Sequence, residues 1–213
     1  MEVINLIKRY KKEIFNKLYK DKKSFTDYEF ITAEFKNGNI TNNIEFKKVY
    51  RRFYVLNGAG LTARFIDRHF ELLDQRETNL KKILVELSKI PRRKGDHSIQ
   101  LSFASKLIHT IDNNQPIYDS RVSKLLNIKP NYSIKDVDER INDRLRVYNL
   151  LKKKFKEIFC NSEIKTIIKT FKRNLRVNIG DVKMLDFILW KLGGIVIKSR
   201  RINPSINSGQ VEK

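Results

Sequence analysis

The stretch "LSFASKLIHTIDNNQPIYDSRVSKLL", residues 101–126, decides the fold that we expect for this chain. A proline turn divides it, and Asp119 stands directly before the apolar-periodic "SRVSKLL". Aspartate is a favoured N-cap residue, so the sequence predicts a helix over residues 98–112 and a second helix that begins within two residues of Asp119. The apolar residues of the first helix recur at intervals of three or four and share one face: Leu101, Ala104, Ile108 and Ile111.

Helical periodicity also marks the first half of the chain. The apolar residues between Ile4 and Leu18 lie on one stripe, which predicts a single N-terminal helix. Two glycine-containing turns, "NGN" at 37–39 and "NGAG" at 57–60, separate the helices that follow. No stretch shows a convincing pattern of strands, and no internal repeat is present, so we expect an all-α fold.

The second half of the chain continues the same pattern. A long helix is predicted from about Ser133 to Phe159, with Ser133 and Asp136 as a capping pair. The last apolar-periodic segment is predicted to end at Gly193, because glycine often follows the last turn of a helix. Residues 201–213 are polar and are predicted to form a disordered tail.

The charge of the chain indicates a polyanionic partner. Lysine and arginine number 45 against 24 acidic residues, which gives a net charge of +21 and a pI near 10.0. Nucleic acid and an anionic membrane surface both fit this excess. The sequence holds no apolar run of about 18 residues, and "MEVINLIKRYKKEIF" lacks the uninterrupted apolar core of a signal peptide. Nucleic acid is therefore the expected partner, and binding to a membrane is not expected.

Cysteine and histidine usage excludes several kinds of site. The single cysteine, Cys160, allows no internal disulfide and no cysteine-based metal or iron–sulfur site. It indicates a reducing compartment, and we expect a cytoplasmic, nucleoid-associated protein. The three histidines show no metal-ligand spacing, and His109 is expected to hydrogen-bond at a helix junction. No metal and no cofactor are predicted.

A basic loop, "PRRKGDHS", precedes the central motif. Arg92, Arg93 and Lys94 stand before a flexible Gly95, and Asp96 or Ser98 is expected to cap the next helix. A helix N-terminus beside three cations can bind phosphate through its free N–H groups. The alternative is a solvated run of charges, which is common in a chain this rich in lysine.

Asp119 also has two interpretations. As an N-cap alone it would stabilise its helix by about 1 kcal/mol, and that explains its presence. A carboxylate at a helix N-terminus is also stabilised as an anion by the macrodipole. A fixed anion is what a reaction with an oxocarbenium-like sugar transition state requires. Periodicity does not choose between the two.

Residues 101–126 resemble the central motif of the helix-hairpin-helix DNA glycosylase superfamily. The similarity is greatest to bacterial proteins described as having an 8-oxoguanine-glycosylase fold. "PIYDSRV" resembles the segment in which the catalytic aspartate of the family begins a helix, and "SFASKLIHTI" resembles the second helix of the hairpin. "DFILWKLG", from Asp186 to Gly193, resembles a recurrent C-terminal helix of the family.

The chain departs from the family in two places. The hairpin turn usually holds two glycines, whereas this chain has "DHSIQLS" there. Bifunctional members keep a lysine where this chain has Leu101 or Ser102. Lys106 lies thirteen residues before Asp119 and is expected on a different helical turn from that position of the family lysine. The resemblance therefore implies a monofunctional enzyme without a lyase step.

The resemblance implies a two-lobed helical glycosylase-like fold with a central cleft. We expect a single bilobal domain over residues 1–200, with a central lobe at about 25–118 and the remaining helices in the second lobe. It implies a monomer that acts on double-stranded DNA with a damaged or modified base, in DNA repair or in defence against modified foreign DNA. The base would be flipped into the cleft and its N-glycosidic bond hydrolysed.

The resemblance also assigns roles to residues. Asp119 would stabilise the positive charge that develops on the deoxyribose, and Lys106 is a second catalytic candidate. The alternatives are a catalytically inactive DNA-binding protein that retains the fold and an RNA-binding helical protein. The DNA-binding candidates are Arg92, Arg93, Lys94, Gly95, Ser98, Ser102, Arg121 and Lys124. The base-pocket candidates are Phe103, Tyr118, Trp190 and His109.

Overall fold

The computed structural model describes residues 2–38, 40–58 and 60–202. Within these ranges all regular secondary structure is helical, which confirms the all-α prediction. In the same ranges, no helix has both the length and the apolar composition of a membrane span. The helices are α1 (Glu2–Arg9), α2 (Lys11–Tyr19), α3 (Lys22–Asn37), α4 (Ile44–Phe53), a 3₁₀ turn (Leu56–Gly58), α5 (Ala63–Asp74), α6 (Leu80–Ser88), α7 (Leu101–Ile111), α8 (Ser120–Leu125), α9 (Val137–Phe159), α10 (Ser162–Leu175) and α11 (Asp181–Ile202).

Side-chain caps explain where many of these helices begin. In each, a side-chain oxygen accepts a hydrogen bond from a backbone N–H in the first turn that has no partner within the helix. The prediction that a helix begins within two residues of Asp119 is confirmed, because α8 begins at Ser120 with Asp119 as its cap. The capping residues are Asn43, Thr62, Asn79, Asp119, Asp136 and Asn161.

One predicted helix start is wrong, and one predicted helix is divided in two. Helix α9 begins at Val137, because Asp136 alone accepts the N–H of Glu139, whereas the N–H of Ser133 binds Asn131 within the preceding loop. The predicted N-terminal helix is two helices, α1 and α2, which separate at Tyr10.

The helix predicted over 98–112 is also shorter than expected, since α7 covers Leu101–Ile111. Neither Asp96 nor Ser98 caps it. Gln100 occupies the N-cap position without a side-chain bond. Asp96 instead pairs with Arg92 inside its own loop.

Helix α11 does not end at Gly193 and continues to Ile202. A Cβ atom at Gly193 would lie 3.1 Å from the carbonyl oxygen of Arg121, so this glycine lets α11 approach the backbone of α8 closely. Residues 201 and 202 of the predicted tail therefore belong to a helix. Residues 203–213 lie outside the described part of the chain.

The apolar side chains form two buried clusters. The first joins α1, α2, α8, α10 and α11, and the second joins α4, α5, α6 and most of α7. Helices α3 and α9 contribute to both clusters: Tyr28 and Tyr148 lie in the first, Ile31 and Ile141 in the second. Phe53, at the end of α4, packs against both. The long helices thus connect the two clusters.

Gly193 provides a test of the contact between α8 and α11. Gly193→Ala should lower the free energy of unfolding by about 1–3 kcal/mol, because the added methyl group overpacks against a backbone carbonyl. Gly194→Ala is the matched control, since its Cβ would meet only the Nη1 atom of Arg121, at 3.9 Å. The control should keep or gain stability through the higher helix propensity of alanine. Urea denaturation measures both, and equal stability of the two variants would contradict this account.

Candidate functional site

A cavity of about 360 Å³ opens among α3, α4, α7, α8 and α11. Its volume falls within the range of small-molecule sites, about 300–1,000 Å³. Asp119, Lys106 and Trp190, three of the residues predicted from sequence, line it together. Two further aromatic rings, those of Phe53 and Phe187, complete its apolar walls.

Hydrogen bonds from two helices fix the turn that presents Asp119. The hydroxyl of Ser105 on α7 accepts the N–H of Tyr118 at 2.9 Å. His109 Nδ1, on the same helix, lies 2.6 Å from the carbonyl oxygen of Gln115 and must be the donor, because a carbonyl only accepts. The hydroxyl of Tyr148 donates to the carbonyl of Pro116 at 3.0 Å. The backbone before Asp119 is therefore held by α7 and α9.

The carboxylate of Asp119 is held as a helix cap. Its Oδ1 accepts the N–H of Arg121 at 2.7 Å. A carboxylate has two oxygens with several acceptor positions, so one cap bond leaves further acceptor capacity. Asp119 is partly exposed and lines the cavity. The capping role and a role in the cavity are thus compatible.

Lys106, the second catalytic candidate, lines the same cavity as Asp119. Its Nζ donates to the carbonyl oxygen of Tyr54, the C-cap of α4, at 2.9 Å. Burial lowers the pKa of Lys106 to about 8, and Lys183 adds to this, whereas the carboxylates of Asp119 and Asp186 oppose it. An appreciable fraction of this amine is therefore neutral near physiological pH.

A buried ion pair that sequence reasoning missed lies beside Lys106. Lys183 Nζ donates to Asp186 at 2.8 Å, and the two side chains are 3% and 9% exposed. Four aromatic rings surround the ammonium group within 6 Å of its nitrogen: Tyr28, Phe53, Tyr54 and Phe187. Burial raises the pKa of Asp186, and Lys183 opposes this. The sequence signal was two charged residues, three apart, inside the apolar run "VKMLDFILW".

Two more ion pairs lie at the cavity. Asp27 accepts from Arg52 at 2.8 Å, and Asp21 pairs with Lys191 while accepting the hydroxyl of Ser24 at 2.7 Å. The lining contains four carboxylates and four cations, so it is balanced in charge although the chain carries +21. The carboxylates are Asp21, Asp27, Asp119 and Asp186, and the cations are Lys23, Arg52, Lys106 and Lys183.

Of the four base-pocket candidates, only Trp190 lines the cavity, and Arg121 stacks on its ring at 4.1 Å. Phe103 is buried against Phe65 in the second cluster, and Tyr118 is buried in the first. His109 is fully buried, with one nitrogen bonded to Gln115 and the other to the hydroxyl of Tyr28. The expectation that His109 hydrogen-bonds at a helix junction is confirmed, and His109 does not line the cavity. Phe103 and Tyr118 are likewise core residues, because the apolar face of α7 and the proline turn point into the two clusters.

The loop of Arg92, Arg93 and Lys94 has a structural role. Arg92 pairs with Asp96, and the Nε of Arg93 donates to the carbonyl of Leu61 at 3.0 Å. Gly95 takes a positive φ of 81° that permits the tight turn. Lys94 is exposed and remains a candidate for phosphate contact. The predicted helix N-terminus is absent from this loop, since α7 begins only at Leu101.

The remaining DNA-binding candidates divide into two groups. Arg121 and Lys124 lie exposed on α8 and line a separate concave surface with Gly193 of α11. Ser98 accepts a bond from the side chain of Gln100, and the backbone carbonyl of Ser102 accepts the hydroxyl of Ser105 near the start of α7. Among the described residues, no three His, Cys, Asp or Glu side chains are arranged to hold a metal ion.

Comparison of the chain with protein-family models, with curated proteins and with solved structures finds no match. The function must therefore be inferred from the cavity itself. Asp119 and Lys106, which both belong to the stretch of residues 101–126, line this cavity.

Two buried histidines should make the free energy of unfolding depend on pH. Burial lowers the pKa of His69 and of His109 to about 3, far below the value of about 6.5 in an unfolded chain. The unfolded state therefore binds more protons than the folded state between these two pH values. The contribution of the two neutral histidines to the free energy of unfolding is fully present above pH 6.5 and is lost as the pH falls toward 3. Each histidine should contribute about 1.4 kcal/mol per pH unit in this window.

Urea denaturation between pH 7.5 and 5 measures this dependence. A His109→Gln variant keeps an uncharged polar side chain and should lose about half of the slope. Equal slopes for the variant and the wild type would contradict a neutral His109 in the folded state.

Proposed function

We propose that this chain is a DNA glycosylase-like hydrolase that flips a damaged or modified base out of double-stranded DNA and cleaves its N-glycosidic bond. The observation that carries the proposal is the carboxylate of Asp119, fixed at the N-terminus of α8 in a cavity with aromatic walls and with Lys106 beside it. We assign the reaction to DNA repair or to defence against modified foreign DNA. The protein would act as a monomer.

The cavity suits a neutral, flat ligand better than a phosphate. Phe53, Phe187 and Trp190 offer ring faces or edges to a base, and aromatic side chains commonly stack extruded bases. The balanced charge of the lining gives no net attraction for a phosphate, in contrast to the surface of a chain that carries +21. Surface cations would bind the DNA backbone, with an affinity that falls steeply with salt.

The two buried clusters support a division into two lobes around this cavity. Phe187 of the first cluster and Ile117 of the second both line the cavity, and Phe53 packs against both clusters. We therefore place the DNA-binding cleft at the opening of the cavity. Arg121 and Lys124 on α8 would contact the phosphates that flank the flipped nucleotide.

Asp119 would act on the deoxyribose. As the C1′–N bond breaks, its electron pair leaves with the base and positive charge develops on the sugar. The ionised carboxylate of Asp119, already held in place by its cap bond, stabilises that charge without reorganisation. Asp119 also orients a water molecule, whose oxygen bonds to C1′ while its proton passes to the carboxylate.

Lys106 supports a second candidate reaction. A neutral amine could attack C1′ in place of water while the base leaves with the electron pair of its C1′–N bond. The nitrogen would then lose a proton as the C1′–O4′ bond opens, which gives a Schiff base that precedes cleavage of the strand. The specific observation in its favour is that Lys106 lies in the cavity of Asp119 with a pKa lowered to about 8. The hydrogen bond from Lys106 to the carbonyl of Tyr54 argues against this reaction, since that bond holds the amine against the side of the cavity. We retain the hydrolytic reaction as the main proposal.

Val55 is suited to assist base flipping. It lies at the mouth of the cavity, its side chain is 63% exposed, and its backbone has a positive φ of 55°, which is strained for a β-branched residue. Apolar side chains that enter the base stack help to open a duplex. Val55 would occupy the space that the flipped base leaves.

Asp119→Asn tests the proposed chemistry. The substitution keeps the size and the capping capacity of the side chain and removes its charge, so base release should fall by about two to three orders of magnitude. DNA affinity should be retained. The measurement is single-turnover base release from duplexes that each carry one damaged or modified base, followed by alkali to reveal abasic sites.

Asp136→Asn is the matched control, because Asp136 caps α9 in the same way and does not line the cavity. Its base release should equal that of the wild type. Full activity of Asp119→Asn would reduce Asp119 to a helix cap. Binding without base release by the wild type, on every duplex tested, would favour an inactive DNA-binding protein.

Borohydride trapping separates the two reactions of the cavity. Hydrolysis leaves intact abasic sites, so the wild type should give no covalent protein–DNA adduct. An adduct that disappears in Lys106→Met and persists in Lys23→Met would overturn the monofunctional proposal. Its yield would then rise as the pH increases through about 8, where the amine of Lys106 loses its proton.

A further inference from the structure

A second concave surface lies on the loop between α8 and α9. Its volume is about 380 Å³, and its lining contains two cations and no carboxylate. Tyr132 on this loop is 77% exposed, whereas Tyr19, the other exposed aromatic residue in the described part of the chain, is 52% exposed. The lining residues are Lys129, Pro130, Asn131, Tyr132, Ser133 and Arg146.

The loop that carries Tyr132 is held by a buried carboxylate. Asp143 on α9 accepts the N–H of Asn131 at 2.9 Å, Nη1 of Arg144 at 2.7 Å and Nη2 of Arg146 at 2.7 Å. Its side chain is 6% exposed. The loss of either arginine would leave a buried charge poorly compensated, so the loop is fixed before any ligand binds.

One face of the Tyr132 ring has a cation beside it. The guanidinium of the buried Arg144 lies 5.4 Å from the ring centroid. A contact of this kind restricts the ring while the rest of its surface stays in water. An exposed aromatic ring that is already ordered loses little conformational entropy on binding.

The chemistry of the surface fits an unpaired nucleotide. A base stacks on an exposed aromatic ring, and this contact is worth about 1–3 kcal/mol per base. Lys129 and the partly exposed Arg146 can bind the phosphate of the same nucleotide, and the amide of Asn131 and the hydroxyl of Ser133 can bind polar edges. The acidic first turn of α9, Asp138 and Glu139, does not line the surface.

The surface lies close to the segment that presents Asp119. Burial raises the pKa of Tyr118, and nearby Tyr132 adds to this while Arg144 opposes it, so both side chains act on the phenol of the residue before Asp119. Arg121 and Lys124 on α8 lie between the cavity and the loop in the chain.

We propose that Tyr132, Lys129 and Arg146 form a second nucleic-acid site, which binds an unpaired nucleotide of single-stranded DNA by stacking and phosphate contact. The site requires only that the chain binds DNA, and it does not depend on base excision. Its function would be to hold a single-stranded or frayed segment next to the duplex.

Fluorescence anisotropy with a single-stranded oligonucleotide of about 12 nucleotides tests the proposal. Tyr132→Ala should weaken binding about 5- to 150-fold, and Tyr132→Phe should bind like the wild type, because it keeps the ring. Lys129→Ala should weaken binding and reduce the salt slope by about one. Tyr19→Ala is the matched control, since Tyr19 is also exposed with a lysine, Lys22, over its ring at 5.0 Å.

Three outcomes would overturn the site. The first is wild-type affinity in Tyr132→Ala. The second is an equal loss of affinity in Tyr19→Ala, which would indicate that the oligonucleotide binds without a defined stacking site. The third is equal competition by oligoglutamate, which would assign the surface to acidic peptides. Base release from damaged duplexes, measured on the same variants, separates this proposal from the glycosylase proposal, because Asp119→Asn should keep single-strand binding.

Discussion

The position of Asp119 depends on hydrogen bonds that reach the backbone of residues 115–118 from two helices. Ser105 and His109 on α7 bind the turn on one side, and Tyr148 on α9 binds it on the other. The bonds from Ser105 and Tyr148 are buried, so breaking either would leave an unpaired polar group at a cost of about 1–3 kcal/mol. The turn is therefore rigid, and a rigid turn is what a preorganised carboxylate requires.

A cluster of four ionisable side chains then sets the electrostatics of the cavity. Lys106, Asp119, Lys183 and Asp186 act on one another across a region from which much of the water is excluded. In such a region charge–charge interactions are stronger than at the surface. The aromatic rings around Lys183 compensate part of its lost hydration, which lets a cation remain buried below the cavity. The cluster links the fold of α11 to the chemistry proposed for α7 and α8.

Local features of the sequence were predicted well, because they depend on neighbours in the chain. The helical class and the start of α8 at Asp119 follow from periodicity and capping, and both are confirmed. Competing local signals caused the errors in helix bounds. Glycine is typical of a helix end, so Gly193 indicated one. In the structure the helix continues, and the close approach of α8 requires a residue without a side chain at that position.

Features that depend on tertiary packing could not be predicted from the sequence. In the cavity, the Nζ of Lys106 binds the carbonyl of Tyr54, the C-cap of α4, fifty-two residues earlier in the chain. The ion pair of Lys183 and Asp186 becomes a site only when rings from α3 and α4 enclose it. Phe103 and Tyr118 lie near the motif in sequence, but their side chains point into the cores. Proximity in sequence to Asp119 is thus a poor guide to the lining of the cavity.

The central claim is that a flipped nucleotide enters the cavity beside Asp119. The most direct measurement is a crystal structure of the protein bound to duplex DNA that contains a tetrahydrofuran abasic-site analogue. The account predicts an extrahelical analogue whose ring lies within about 3.5 Å of the Asp119 carboxylate, with Val55 in the gap of the duplex. A duplex bound with every nucleotide stacked, or bound on a face away from the cavity, would contradict it.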